Sequence, residues 1–148
     1  MKALLAVDLQ YDFCSGGSLA VPEGESVIPV INGLMARFPV VVATQDWHPP
    51  GHVSFASSHP GRSPFDVIEL YGHEQTLWPD HCVQGTPGAA FPPALDTDRA
   101  DAIVRKGFRR HVDSYSAFFE NDRTTPTGLA GLLRERGFRR VVIAGLAT

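Results

Sequence analysis

Short, continuous apolar runs alternate along this chain with stretches of helical spacing. Residues 3–7, Ala-Leu-Leu-Ala-Val, form the first run and end at Asp8; an unbroken run of this kind is what a parallel strand covered on both faces requires. From Ser26, the apolar residues Val27, Ile28, Ile31, Leu34, Met35 and Phe38 recur at helical spacing, with Asn32 and Arg37 between them. Pro29 fits a first helical turn, where its missing donor costs nothing. Val40 to Thr44 then predicts a second strand, brought parallel to the first by a right-handed crossover. Ala102-Ile103-Val104, ended by Arg105-Lys106-Gly107, predicts a third. Pro126 to Arg136 predicts a helix that buries Leu129, Leu132 and Leu133, with Gly137 at its C′ position, and Arg140 to Ala144 predicts a fourth strand. Strands joined by helical crossovers give an α/β fold wound around a mainly parallel sheet.

The chemistry collects where the strands end. Ligands bind beyond the carboxyl edge of such sheets, and three strand ends deliver Asp8, Asp46 and Lys106. In an extended segment Asp46 and His48 point to one side, which makes half a metal site for zinc, iron or manganese. A third ligand must come from elsewhere, and His81, in Trp78-Pro79-Asp80-His81-Cys82, is the candidate. Residues 45–88 hold no convincing periodicity, and an ordered loop of that length is usually functional. His52, in the same loop, is a further candidate for the ion. Blander readings exist for each: an ion pair for Asp8 and Lys106, turn or cap roles for Asp46 and His48, and core packing for Phe13 and Trp78.

Composition narrows the function classes. The chain has 148 residues, 43% of them hydrophobic, which suits one domain with a real core. Its net charge of -3 comes without basic runs, so neither nucleic acid nor an anionic membrane is an expected partner. The first apolar run is too short for a signal core, and a soluble, cytoplasmic protein is expected. Cys14 and Cys82 form no CxxC pair and read as small buried hydrophobes. His59, His73 and His111 read as solvated loop residues.

Taken together, Asp8-Leu9-Gln10, Asp12 to Val21, Asp46-Trp47-His48-Pro49, His52-Val53-Ser54-Phe55, Trp78 to Gly88, Lys106-Gly107 and Gly145-Leu146-Ala147-Thr148 resemble the nicotinamidases of the isochorismatase-like cysteine hydrolases. The resemblance implies a three-layer α/β/α sandwich with a predominantly parallel sheet. It implies hydrolysis of nicotinamide, with pyrazinamide as a second substrate, to the acid and ammonia through a cysteine thioester, and a place in NAD salvage. Asp8 would be the general base with Lys106 beside it. Asp46, His48 and His81 would hold one divalent metal, zinc before iron or manganese. Phe13 and Trp78 would sandwich the pyridine ring, with Tyr115 nearby. The turn at Leu146 and Ala147, with a cis peptide between them, would form the oxyanion hole. The nucleophilic cysteine expected just beyond this turn is absent from the 148 residues. A strand entering a small-residue turn should feed another helix, so residues 1–148 are expected to be one domain lacking its C-terminal part, inactive alone. The resemblance is compatible with a homo-oligomer. The alternatives are a related hydrolase acting on another amide, a ureide or a vinyl ether, and a non-catalytic metal-binding fragment.

Overall fold

The computed structural model describes residues 2–148. Strands β1 (Lys2–Val7), β2 (Val41–Asp46), β5 (Ala102–Lys106) and β6 (Arg140–Gly145) form one sheet in the order β5-β2-β1-β6, with every pairing parallel. Alternation along β1 feeds two cores. Leu4 and Ala6 pack with Ile28, Ile31 and Met35 of helix α1 (Ile28–Met35) on one face. Ala3, Leu5 and Val7 pack with Leu129 and Leu133 of helix α2 (Leu129–Glu135) on the other. The α/β/α layering follows from a central strand that is apolar at every position from Ala3 to Val7. No helix among the described residues is long and apolar enough to cross a membrane.

Both helices are shorter than their apolar spacing predicts. A 3-10 turn, Gly24–Val27, leads into α1, and the helix ends at Met35. Phe38 lies beyond it yet still packs on the same core; as the residue before Pro39 it is driven out of helical backbone. Pro126 is drawn into a bridge with Phe119, and Gly128, at φ 102, cannot continue a helix, so α2 starts at Leu129. Its end matches the expectation: Gly137, at φ 75, donates to Arg134 O and Phe138 donates to Leu133 O, the paired bonds of a Schellman motif.

The long segment also holds an antiparallel hairpin, β3 (Val67–Leu70) with β4 (His73–Thr76), where a loop is expected. It was hidden because these strands are largely polar or exposed and pack little apolar surface. Its two-residue turn places Tyr71 and Gly72 at φ 56 and 72, and tyrosine is an unusual choice for a left-handed position.

Candidate active site and metal centre

Because β5, β2 and β1 are neighbours, their carboxyl ends bring Lys106, Asp46 and Asp8 side by side, and the register sets Asp46 opposite Lys106. The Lys106 ammonium lies 2.5 Å from Asp46 Oδ1 and 2.8 Å from Asp8 Oδ2, and donates to the Ser114 carbonyl at 3.2 Å. All three side chains are buried. Burial alone would neutralise Lys106, but the two carboxylates hold its pKa above the ordinary value. The carboxylates themselves are driven apart. Burial raises the Asp8 pKa, opposed by Lys106 and helped by Asp46, whereas Lys106 and the two histidines overcome burial at Asp46 and hold it well below the carboxylate range. Of the two carboxylates, Asp8 is therefore the more basic and Asp46 the more acidic.

Two buried polar residues that sequence reasoning missed fix these carboxylates. Thr44, on the same face of β2 as Asp46, accepts the Asp8 N–H at 3.1 Å and donates its hydroxyl to Asp8 Oδ1 at 2.6 Å. Gln10 accepts the Asp46 N–H at 2.7 Å and donates to the Asp46 and Ala89 carbonyls at 2.8 and 2.9 Å. Alternation along β2 would have found Thr44; Gln10 stood inside a motif without a role.

Asp46 uses its other oxygen differently. Oδ2 lies 3.7 Å from Nε2 of both His48 and His81, and the donor atoms of these three residues all fall within 4.8 Å of one another. His48 Nδ1 lies 2.9 Å from the Gly107 carbonyl and His81 Nδ1 2.8 Å from that of Pro79. A carbonyl only accepts, so each Nδ1 carries a proton, and in the neutral ring Nε2 is the lone-pair nitrogen turned towards Asp46. One carboxylate and two such imidazoles fit a zinc, iron or manganese ion. Gly107 is constrained twice, by φ 66 and because a Cβ there would sit 2.3 Å from the His48 ring. Asp12 holds the His81 loop by accepting the Cys82 N–H at 2.6 Å.

His52 does not share this role. Its Nε2 faces the carbonyls of Arg109 and Val112 at 2.9 and 3.2 Å, while Nδ1 faces the Ser54 hydroxyl at 2.8 Å, so no lone pair is free. It packs against the His48 ring, centroids 4.4 Å apart. Burial, with the His48 charge, lowers its pKa to about 4. Asp113, also unforeseen, is buried near His48, its Oδ1 4.0 Å from Nε2.

A cavity of about 490 Å³ opens onto this cluster, lined also by Phe13, Trp78, Tyr115 and Ala147. The Tyr115 hydroxyl oxygen accepts from Gln75 Nε2 at 2.7 Å and Trp78 Nε1 at 3.1 Å. Beside Asp8, Gly145 lies so close to β1 that a Cβ would meet Val7 O at 2.3 Å. The expected cis peptide is not found: no bond among the described residues is cis, and Ala147 takes a left-handed backbone at φ 48 instead. Trans geometry avoids a cost of roughly 2.5–4 kcal/mol for a bond without proline. The Leu146 N–H is also committed, to Val7 O at 2.8 Å, and is no oxyanion donor here.

Cys14 and Cys82 are buried free thiols whose pKa burial raises, and neither lines the cavity. Two of the histidines expected in solvent are partly sheltered: His59 bonds the Val53 carbonyl at 2.7 Å and His73 pairs within the hairpin, while His111 is exposed.

The Isochorismatase domain model matches residues 2–148. A nicotinamidase from Acinetobacter baylyi is 56% identical over 146 residues, covering 99% of this chain and 68% of that protein. Among solved structures, an Acinetobacter baumanii nicotinamidase pyrazinamidase superposes with a TM-score of 0.94 at 53% identity, over 97% of this chain and 69% of the other. A Pyrococcus horikoshii pyrazinamidase in complex with zinc gives 0.74 at 38% identity, over 99% and 71%.

Proposed function

Because the chain belongs to the isochorismatase family, we propose that it carries the acid–base pair, cation site and ring pocket of a cytoplasmic nicotinamide amidohydrolase, which also accepts pyrazinamide. The observation that carries this reading is one cavity that joins the Asp8–Lys106 pair, the Asp46–His48–His81 cluster and the aromatic walls Phe13, Trp78 and Tyr115. The names of the relatives support the same substrate class.

The nucleophile of this reading is the cysteine that the family resemblance puts directly after the Gly145–Thr148 turn. Asp8, the more basic carboxylate, takes its thiol proton, and the thiolate attacks the carboxamide carbon. The Ala147 N–H is the turn donor left for the developing oxyanion. Asp8 then passes its proton to the departing nitrogen, ammonia leaves, and a thioester remains. Water attacks that thioester, Asp8 again taking the proton and returning it to the thiol, and nicotinate is released. Lys106 stays charged throughout and favours the ionised form of Asp8. Phe13 and Trp78 hold the ring. Asp46, His48 and His81 would hold zinc, or iron or manganese, which supplies a Lewis-acidic point that orients the pyridine nitrogen.

Ammonia release from nicotinamide, measured on purified protein of known intact mass that includes that cysteine, tests the reading. Turnover should fall about 10²–10⁴-fold in Asp8→Asn and in Lys106→Ala, the usual worth of a general acid–base group. Protein that contains the cysteine, binds zinc and releases no ammonia would overturn it.

A further inference from the structure

Asp113 is a buried carboxylate, 3% exposed, on the wall of the cavity, and the mechanism makes no use of it. Its Oδ1 accepts the Ser114 N–H at 2.8 Å, and its one ionisable nitrogen neighbour within 4.0 Å among the described residues is His48 Nε2. No lysine or arginine pairs with it there. Buried carboxylates without a cation are costly, and they persist where something positive is supplied.

The surrounding charges say what is missing. Lys106 offsets one of the three buried carboxylates Asp8, Asp46 and Asp113. The ring nitrogens that face the cluster, His48 Nε2 and His81 Nε2, belong to imidazoles held through Nδ1 by the Gly107 and Pro79 carbonyls. Three buried carboxylates thus stand with one buried lysine, an excess of acidic groups that suits a cation. Asp113 shares no group with Asp46 and His81; its donor atom falls within 4.8 Å of those of His48 and His52, and His52 has both ring nitrogens bonded to protein, so that second group offers no complete ligand set and Asp113 contributes charge at close range rather than direct ligation.

We propose that Asp113 is the charge-completing carboxylate of the cation site: it sets how tightly the divalent ion is held without being one of its ligands. The inference rests on reading Asp46, His48 and His81 as the ligands.

The test is zinc affinity, by competition with a chromogenic chelator, in the unsubstituted protein, Asp46→Ala and Asp113→Asn. Asparagine keeps the acceptor for the Ser114 N–H and removes only the charge. Asp113→Asn should weaken zinc binding by roughly 10–100-fold, the range found when outer partners of a metal site are removed. Melting in excess chelator separates charge from architecture. There Asp113→Asn should melt no lower than the parent, since the uncompensated carboxylate is gone. Stoichiometric binding that is lost in Asp46→Ala but unchanged within twofold in Asp113→Asn would overturn this proposal alone and leave the ligand set standing. A metal-free Asp113→Asn protein that melts well below its parent would also overturn it, by making Asp113 structural. Absence of zinc binding in the unsubstituted protein would overturn both readings.

Discussion

Asp8 and Asp46 both touch one ammonium, yet their surroundings give them opposite tendencies. Asp46 gains two imidazole neighbours in addition to Lys106, while Asp8 is left with Lys106, Thr44 and the repulsion of Asp46. At this scale Gly107 is the most constrained position near the cation site, because its left-handed backbone and its contact with the His48 ring both exclude a side chain. Gly107→Ala should therefore displace His48 and cost about 10–100-fold in zinc affinity, read by the same chelator competition. His52 predicts a pH dependence. Its pKa falls from 6.5 to about 4 on folding, so between those values the unfolded chain binds more protons and stability rises with pH. The contribution, about 3 kcal/mol, is complete above pH 6.5 and lost as the pH falls towards 4. Urea unfolding of metal-free protein at pH 7 and pH 4.5 should show that loss, and His52→Phe should flatten it. His48 acts in the opposite sense: Asp46 and Asp113 overcome burial to raise its pKa, so its contribution is present below 6.5 and lost as the pH rises through the folded value.

Elements position these groups through their ends. Parallel pairing of β5, β2 and β1 carries Lys106, Asp46 and Asp8 to one edge, and β6 brings the Gly145 turn beside Val7. The hairpin contributes Gln75, which braces Tyr115 from β4. The helices act as covers, and their terminal residues decide where they stop. Gly137 meets no steric contact that a Cβ would make, so Gly137→Ala isolates the cost of φ 75. It should destabilise the fold by about 1–2 kcal/mol, the cost of left-handed backbone for a residue with a Cβ, measurable as a lower urea midpoint.

For the whole molecule, the two cores on either face of β1 make a rigid platform for a site carrying excess negative charge. Cation binding should relieve that excess and couple to folding. With zinc at about a thousandfold above its dissociation constant, stability should rise by about 4 kcal/mol. A thermal melt with zinc and then with chelator would show this as a reversible increase in Tm; no increase would mean the cluster does not take the ion in the folded state.

The order of strands and helices, the layering, and the set Asp8, Asp46, His48, His81 and Lys106 were legible in the chain itself. Apolar runs and strand alternation are local properties, and motif residues keep their chemistry wherever the chain carries them. The resemblance also singled out Phe13, Trp78 and Tyr115, which the structure sets on the wall of one cavity. What the chain alone did not reveal were the partners. Thr44 and Gln10 matter through bonds that span 36 residues, and Asp113 through its place beside His48. His52 was open as a ligand until its ring was seen to be occupied on both sides. The hairpin turn sets Tyr71 left-handed before Gly72, and Ala147 is left-handed as well, positions where the residue type gives no such signal. Tertiary structure decided these because a buried hydrogen bond or a left-over charge is a relation between distant segments, and no pattern in one segment encodes it.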